Sequence, residues 1–239
     1  EYFGKELNKS FHLRKDVEML KKLYENKDDY ALLNGAYSFI KSKMAWNGTY
    51  TKYANSSLGK AYREGGGNVA DINLNLTLLL KELGLDAFPV ILSTQKHGII
   101  HPAHPSLSKF NYVISMVKLG DEVFLLDATD PLSEINLLPM RCLNDKGRIV
   151  NNTGGDWIVL MDYKPYKSSE VFKMNLEEDL VFHVNKQSVL QDYAAYIRKK
   201  EIKEYNNLDE YKESLEKDRK GYKIQSIEVA GLDTIQDKL

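Results

Sequence analysis

Apolar residues recur at helical spacing along the N-terminal part of the chain. Leu13, Val17, Leu20, Leu23 and Tyr24 share one face of residues 13–26, with charges between them, which is the period of an amphipathic helix. Tyr30, Leu33, Tyr37, Ile40 and Met44 repeat that spacing over 29–45 until Asn47-Gly48 interrupts it. A short helix is expected over 57–63, ahead of Gly65-Gly66-Gly67, a run that permits a tight backbone approach where the next helix starts. From Val69 to Leu83 the chain turns strongly apolar and stops at Gly84, predicting a central helix on which the two earlier helices pack. Beyond it the pattern becomes that of strands, at 87–93, 110–118, 121–127 and 156–161, with Leu119-Gly120-Asp121 as a hairpin turn.

Residues 95–109 form a long loop between the first two strands and carry His97, His101 and His104. Loops of that length in compact domains are often functional. The histidine spacing invites a metal, but Pro102 and Pro105 break the helix that would put these rings on one face. The bland reading is a proline-stiffened loop over the sheet edge, and no metal is expected. From about residue 165 the pattern changes again. A strand is expected at 180–184, helices at 188–200 and 208–219, and a final strand at 223–229 that leaves an exposed edge. Ser188 and Leu208-Asp209 read as the helix starts. The Lys/Glu-rich stretch at 198–220 reads as solvated helix faces.

The chain of 239 residues is long enough for one large domain or a domain with an appendage. Its 33 basic and 34 acidic residues nearly cancel, and no basic stripe with interleaved aromatics stands out, so nucleic acid is not an expected partner. The 15 tyrosines are scattered, which fits amphipathic packing better than a stacking platform. No stretch approaches the 18 or so apolar residues of a membrane span. Starting at Glu1 without an initiator methionine, the chain reads as a trimmed fragment. Cys142 is the single cysteine, which excludes an intrachain disulfide. Arg141 beside it would lower a thiol pKa, but no histidine lies nearby in sequence, and a packed structural thiol is expected.

The run from Gly67-Asn68-Val69-Ala70-Asp71 to Leu83-Gly84-Leu85-Asp86-Ala87 resembles the bacterial transglutaminase-like domains, whose central helix carries a cysteine two residues after a glycine. Phe110-Asn111-Tyr112-Val113-Ile114 looks like that family's histidine strand, and Leu125-Leu126-Asp127-Ala128-Thr129-Asp130 like its aspartate strand end. The matching covers roughly residues 30–160. On this pattern Val69 stands at the cysteine position and Tyr112 at the histidine position, while Asp127 is retained. The resemblance implies an α+β, papain-like fold with N-terminal helices packed on an antiparallel sheet. It also implies a core over 1–164 and a partial α/β extension over 165–239 that begins a β-rich region. Trp46 is similar to the upstream tryptophan that helps stabilise an oxyanion.

In the parent chemistry a thiolate attacks a carbonyl, an imidazole moves the proton and a carboxylate fixes the imidazole. Val69 has no lone pair, and Tyr112, with an ordinary pKa of about 10, is a poor base near neutrality. A hydrogen bond from Tyr112 to Asp127 would satisfy both groups. The expected function is therefore a catalytically inactive domain, a binding or scaffolding module in a larger exported bacterial protein. The resemblance implies a periplasmic or cell-surface location. A peptide or glycan in the former cleft and neighbouring domains of the parent chain are the expected partners, with no cofactor. Candidate binding residues are Trp46, Asn68, Asp71, Asn111, His101 and His104. The rival is an amidase, peptidase or transglutaminase-like enzyme using a rearranged set drawn from Asp71, Tyr112, Asp127 and a loop histidine. A purely structural spacer is the third reading.

Overall fold

A computed structural model describes residues 10–104, 106–151, 155–161, 164–178, 180–217, 221 and 223–232. The chain divides into two compact units, Glu1–Tyr163 and Lys164–Leu239.

In the first unit, α1 (Arg14–Leu23) and α2 (Asp29–Lys43) bury Val17, Leu20, Leu33, Tyr37 and Ile40 from the apolar stripes read in the sequence, while Leu23 and Tyr30, near the helix ends, are exposed. Asp28 caps α2 by accepting from the Ala31 N–H at 2.7 Å. Helix α1 packs mainly on α2, and it is α2 that rests on the central helix. The two-residue strand β1 (Ala45–Trp46) pairs in parallel with β2 (Gly66–Gly67), which follows the short helix α3 (Leu58–Glu64). The central helix α4 (Val69–Glu82) comes next and is buried continuously from Val69 to Leu80. A helix apolar nearly all round belongs inside a core, covered on every side.

Strands β3 (Asp86–Leu92), β4 (Tyr112–Leu119), β5 (Glu122–Leu126), β6 (Lys146–Ile149) and β7 (Trp157–Val159) form one sheet in the order β5-β4-β3-β6-β7. Every pairing in it is antiparallel. Helix α4 lies against β4 and β3, so the unit is α+β with helices laid on an antiparallel sheet. The β4–β5 hairpin closes through Gly120-Asp121, with Gly120 at φ 59°, a left-handed conformation that favours glycine. Strand β6, whose Gly147 faces Val90 and Leu160, is absent from the sequence reading: Lys146-Gly147-Arg148-Ile149 shows too little alternation to mark it. Among the described residues no helix is long and apolar enough to cross a membrane.

The second unit departs further from expectation. Strands β8 (Tyr166–Leu176) and β9 (Phe182–Asp192) make a long antiparallel hairpin, where only 180–184 read as strand. Ser188 is not a helix cap; it sits in β9 opposite Glu170. Hydrogen bonding to β8 carries the extended conformation through 192, and helix α5 begins only at Tyr193 (Tyr193–Ile202). Helix α6 (Leu208–Glu216) is capped by Asn207, which accepts from the Glu210 N–H at 2.9 Å. The expected last turn of this helix, at 218–219, lies outside the described residues. Residues 223–229 form no strand: among the described residues they pair with no neighbouring strand, and an extended segment gains its ladder bonds only by pairing.

The start of α4 depends on close approach. A Cβ on Gly67 would lie 2.5 Å from Asp71 Oδ2, the oxygen that closes the helix cap. Gly67→Ala should therefore cost about 1–2 kcal/mol, the scale of a lost cap, and lower Tm by about 2–8 °C. Calorimetry checks this, and an unchanged Tm would contradict the close packing.

Candidate functional site

Four polar residues interrupt the apolar surface of α4 at regular intervals: Asp71, Asn73, Asn75 and Thr77. Residues four apart lie on one side of a helix, so Asp71 and Asn75 face one way and Asn73 and Thr77 another. Asp71 and Asn68 form a reciprocal capping box: Asn68 Oδ1 accepts from the Asp71 N–H at 2.9 Å, and Asp71 Oδ2 accepts from the Asn68 N–H at 2.9 Å. Asp71 Oδ1 also accepts from the Asn55 N–H at 3.1 Å. Burial raises the Asp71 pKa, and these backbone donors offset only part of that rise. Asn75 donates to the Leu58 and Asp71 carbonyls, which leaves its oxygen to accept from His12 Nε2 at 2.8 Å. The capping oxygens of Asn68 and the carboxylate of Asp71 are thus committed to the helix start.

The Asn73 face meets the sheet. Asn73 Nδ2 donates to the Val113 carbonyl and to Asp127 Oδ1, both at 2.9 Å, and its oxygen accepts from the Ala128 N–H at 2.8 Å. Asp127 leaves the end of β5 with 0% exposure. Its Oδ1 accepts from Asn73 and from both the N–H (3.0 Å) and hydroxyl (2.7 Å) of Thr129. Its Oδ2 accepts from the Tyr112 hydroxyl at 2.7 Å and from the Cys142 thiol at 3.6 Å.

Arg141 completes the arrangement from the turn Met140–Cys142. Its Nε donates to the Tyr112 oxygen at 3.0 Å and its Nη2 to Thr129 Oγ1 at 2.7 Å, while Nη2 stands 3.7 Å from Asp127 Oδ2. Tyr112 and Thr129 have one proton each and give it to Asp127, so their oxygens are free to accept from the guanidinium. Two hydroxyls therefore relay between a cation and a carboxylate. Burial first, and then Asp127, pushes the Tyr112 phenol well above its ordinary range. Burial opposes the Arg141 charge, but Tyr112 and Asp127 reverse that and raise its pKa.

Val69, the first residue of α4, has 0% exposure. Its N–H donates to the Thr49 carbonyl at 3.3 Å, and Trp46 Nε1 donates to the same oxygen at 3.2 Å. Trp46 stacks on Tyr50 at 5.3 Å, Tyr50 lies 5.6 Å from the Tyr112 ring, and the Arg141 guanidinium sits 4.7 Å from the centre of the Trp46 ring. The structure thus gathers Trp46, Tyr112 and Asp127 into one network and joins the Val69 backbone to it through Thr49. Asn111 bonds Thr94 instead, bridging the start of β4 to the end of β3. His101 and His104 are exposed and stack on each other at 5.9 Å. No hydrogen bond joins a histidine to Asp127 or Tyr112 among the described residues, nor do three or more metal-ligating side chains cluster.

Arg141, Asn73, Thr129 and Tyr50 were missing from the sequence-derived site. Asn73 had a visible signal, a polar residue inside an apolar helix, and Thr129 stands two residues after Asp127. Arg141 read only as a neighbour of Cys142, whose thiol it does not activate. Cys142 has 0% exposure, and burial followed by Asp127 drives its pKa upward.

No family model and no curated protein matches this sequence. Among solved structures, a putative protease from Parabacteroides distasonis aligns with a TM-score of 0.47 at 11% identity, over 66% of this chain and 30% of that one. A putative cysteine protease from Cytophaga hutchinsonii aligns with a TM-score of 0.36 at 15% identity, over 73% of this chain and 51% of that one. The chain spans about a third and a half of their respective lengths.

A thiol whose folded pKa is raised holds its proton more tightly than the unfolded chain does, so its stabilisation is full below about pH 8.5 and is lost as pH rises further. Lys41 acts in the opposite sense: burial lowers its pKa to about 8, so its penalty fades on the alkaline side. Comparing the chain with Cys142→Ala isolates the thiol. The stability difference between the two, from urea unfolding, should move against the native chain by up to about 1.4 kcal/mol per pH unit above pH 8.5. A constant difference from pH 7 to 10 would contradict a buried neutral thiol.

Proposed function

We propose that this chain is a transglutaminase-like domain without the family's chemistry, acting as a binding module within a larger exported bacterial protein. One observation carries the reading. The phenol at the family's base position is held protonated by burial, donates to Asp127 and accepts from Arg141, so it lacks the charge state to take a proton from a nucleophile. The position of the family's thiol holds a buried aliphatic side chain. Losing triad members together costs several orders of magnitude in rate.

The rearranged enzyme gains little support from the same geometry. Asp71 is bound into the capping box, Asp127 is saturated by donors, and the loop histidines stack on each other at the surface. Both oxygens of Asp127 are occupied by donors, which leaves them no open position to take a proton from a nucleophile.

Incubation with a glutaminyl peptide and a primary amine should release no ammonia above the blank. In the Cys142→Ala background, Val69→Cys with Tyr112→His should yield a thiol that iodoacetamide alkylates in the folded protein. Ammonia release that disappears in a folded Asp127→Asn variant would overturn the inactive reading. An unreactive new thiol would break the correspondence with the family's cysteine.

A further inference from the structure

The β8–β9 ladder sets Tyr166 opposite Asp192 and Leu176 opposite Phe182, and facing residues of an antiparallel pair share one side of the ribbon. One side therefore carries Phe172, Met174 and Leu176 together with Phe182 and Val184. The other is polar apart from Val171 and Val189. Helix α5 covers the base of the apolar side, where Leu190 packs on Ala194 and Ala195. Toward the turn, among the described residues, nothing covers it: the five apolar side chains are 51–63% exposed. A ribbon of two strands is marginal in water unless its apolar face meets another layer.

The extent of that face suits a partner of its own kind. Five such side chains offer about 500 Å², and Leu180 and Val181 in the adjoining turn, both exposed, bring this to about 700 Å². The largest apolar patch on a typical monomer is about 300–600 Å². Two copies packed face to face would bury about 1,000–1,400 Å², which clears the roughly 1,000 Å² that a specific interface needs. Toward the base the apolar area ends at a neutralised pair, since Lys186 lies 5.3 Å from the centre of the Phe172 ring and 2.8 Å from Glu170. A charged partner would find no charge among the five side chains, and Glu177 and Glu178 in the turn disfavour an anionic lipid surface. A second copy supplies a flat apolar face of the same size, and such faces pack about 10 Å apart.

Charge fits the same arrangement. A two-fold antiparallel pair centred on Met174 lays the turn of one copy, with its two glutamates, over the Glu170–Lys186 level of the other, where Lys173 adds a further positive charge. We propose that the apolar side of the β8–β9 hairpin joins two copies of this chain. This adds a partner to the binding-module reading without depending on it.

Sedimentation velocity of the whole 239-residue chain tests it. The mass should rise with concentration from 27.4 kDa toward twice that value, with a Kd of about 10–100 µM. Met174→Lys should weaken the association about tenfold or more, as like charges set across an interface do, with Tm unchanged. Val171→Lys, on the polar side, should leave it intact. In the Cys142→Ala background, Met174→Cys should form a disulfide-linked dimer on mild oxidation and Val171→Cys should not, which keeps the test open if a lysine disturbs the ribbon. A mass fixed at 27.4 kDa up to about 300 µM would overturn the proposal. Association undiminished by Met174→Lys would overturn it too, by putting the contact elsewhere, as would growth beyond the dimer, which means pairing through strand edges. Pelleting of a monomeric chain with phosphatidylcholine–phosphatidylserine vesicles would give the face to a lipid surface instead.

Discussion

A carboxylate withdrawn from water must be compensated where it lies, and Asp127 is compensated by a guanidinium it barely touches. Arg141 stands 3.7 Å from the carboxylate, and the intervening gap is filled by the hydroxyls of Tyr112 and Thr129. Each hydroxyl is polarised from both sides, in the sense that makes chained hydrogen bonds stronger than isolated ones. Removing one partner of a buried ion pair costs about 3–5 kcal/mol, so this cluster constrains everything packed against it.

The surrounding fold is arranged to keep the cluster dry and fixed. Asn73 reaches from the buried helix α4 to Asp127, to the Ala128 N–H and to the Val113 carbonyl, tying helix, strand and strand end together. Tyr37, on the helix behind, donates to the Asp127 carbonyl at 2.9 Å. Trp46 covers the outer face of the network by lying against Arg141. The network is a circuit in which the Tyr112 and Thr129 hydroxyls each donate to Asp127 and accept from Arg141. Val69, the first residue of α4, contributes buried packing and one backbone hydrogen bond to Thr49.

Much of the first unit is legible in the sequence because its periodicity and burial agree. Helices α1, α2 and α4 and strands β3 to β5 bury most of the stripes their residues announce, Leu23 and Tyr30 at the helix ends excepted. The reading weakens where tertiary pairing decides conformation. Strand β6 is held by β3 and β7, and residues 188–192 are extended because β8 lies beside them, despite a helix-like start at Ser188. The site was half legible. Asp127, Tyr112 and Trp46 could be picked out by resemblance, but a network that recruits Arg141 from a loop is a property of packing, and no spacing in the chain encodes it. Asn68 and Asp71 illustrate the converse: residues attractive as ligand contacts also match the capping-box pattern of a polar N-cap with an acid three residues later, and the cap is the role they fill.

The account stands or falls on energetic coupling between Arg141 and Asp127. A double-mutant cycle of Arg141→Met and Asp127→Asn, read by urea unfolding, measures that coupling directly. Each single change should be strongly destabilising and the double change less so than their sum, with a coupling of about 1–3 kcal/mol. Additive losses, equal within about 0.5 kcal/mol, would mean that the guanidinium and the carboxylate do not act as one unit and would contradict the account.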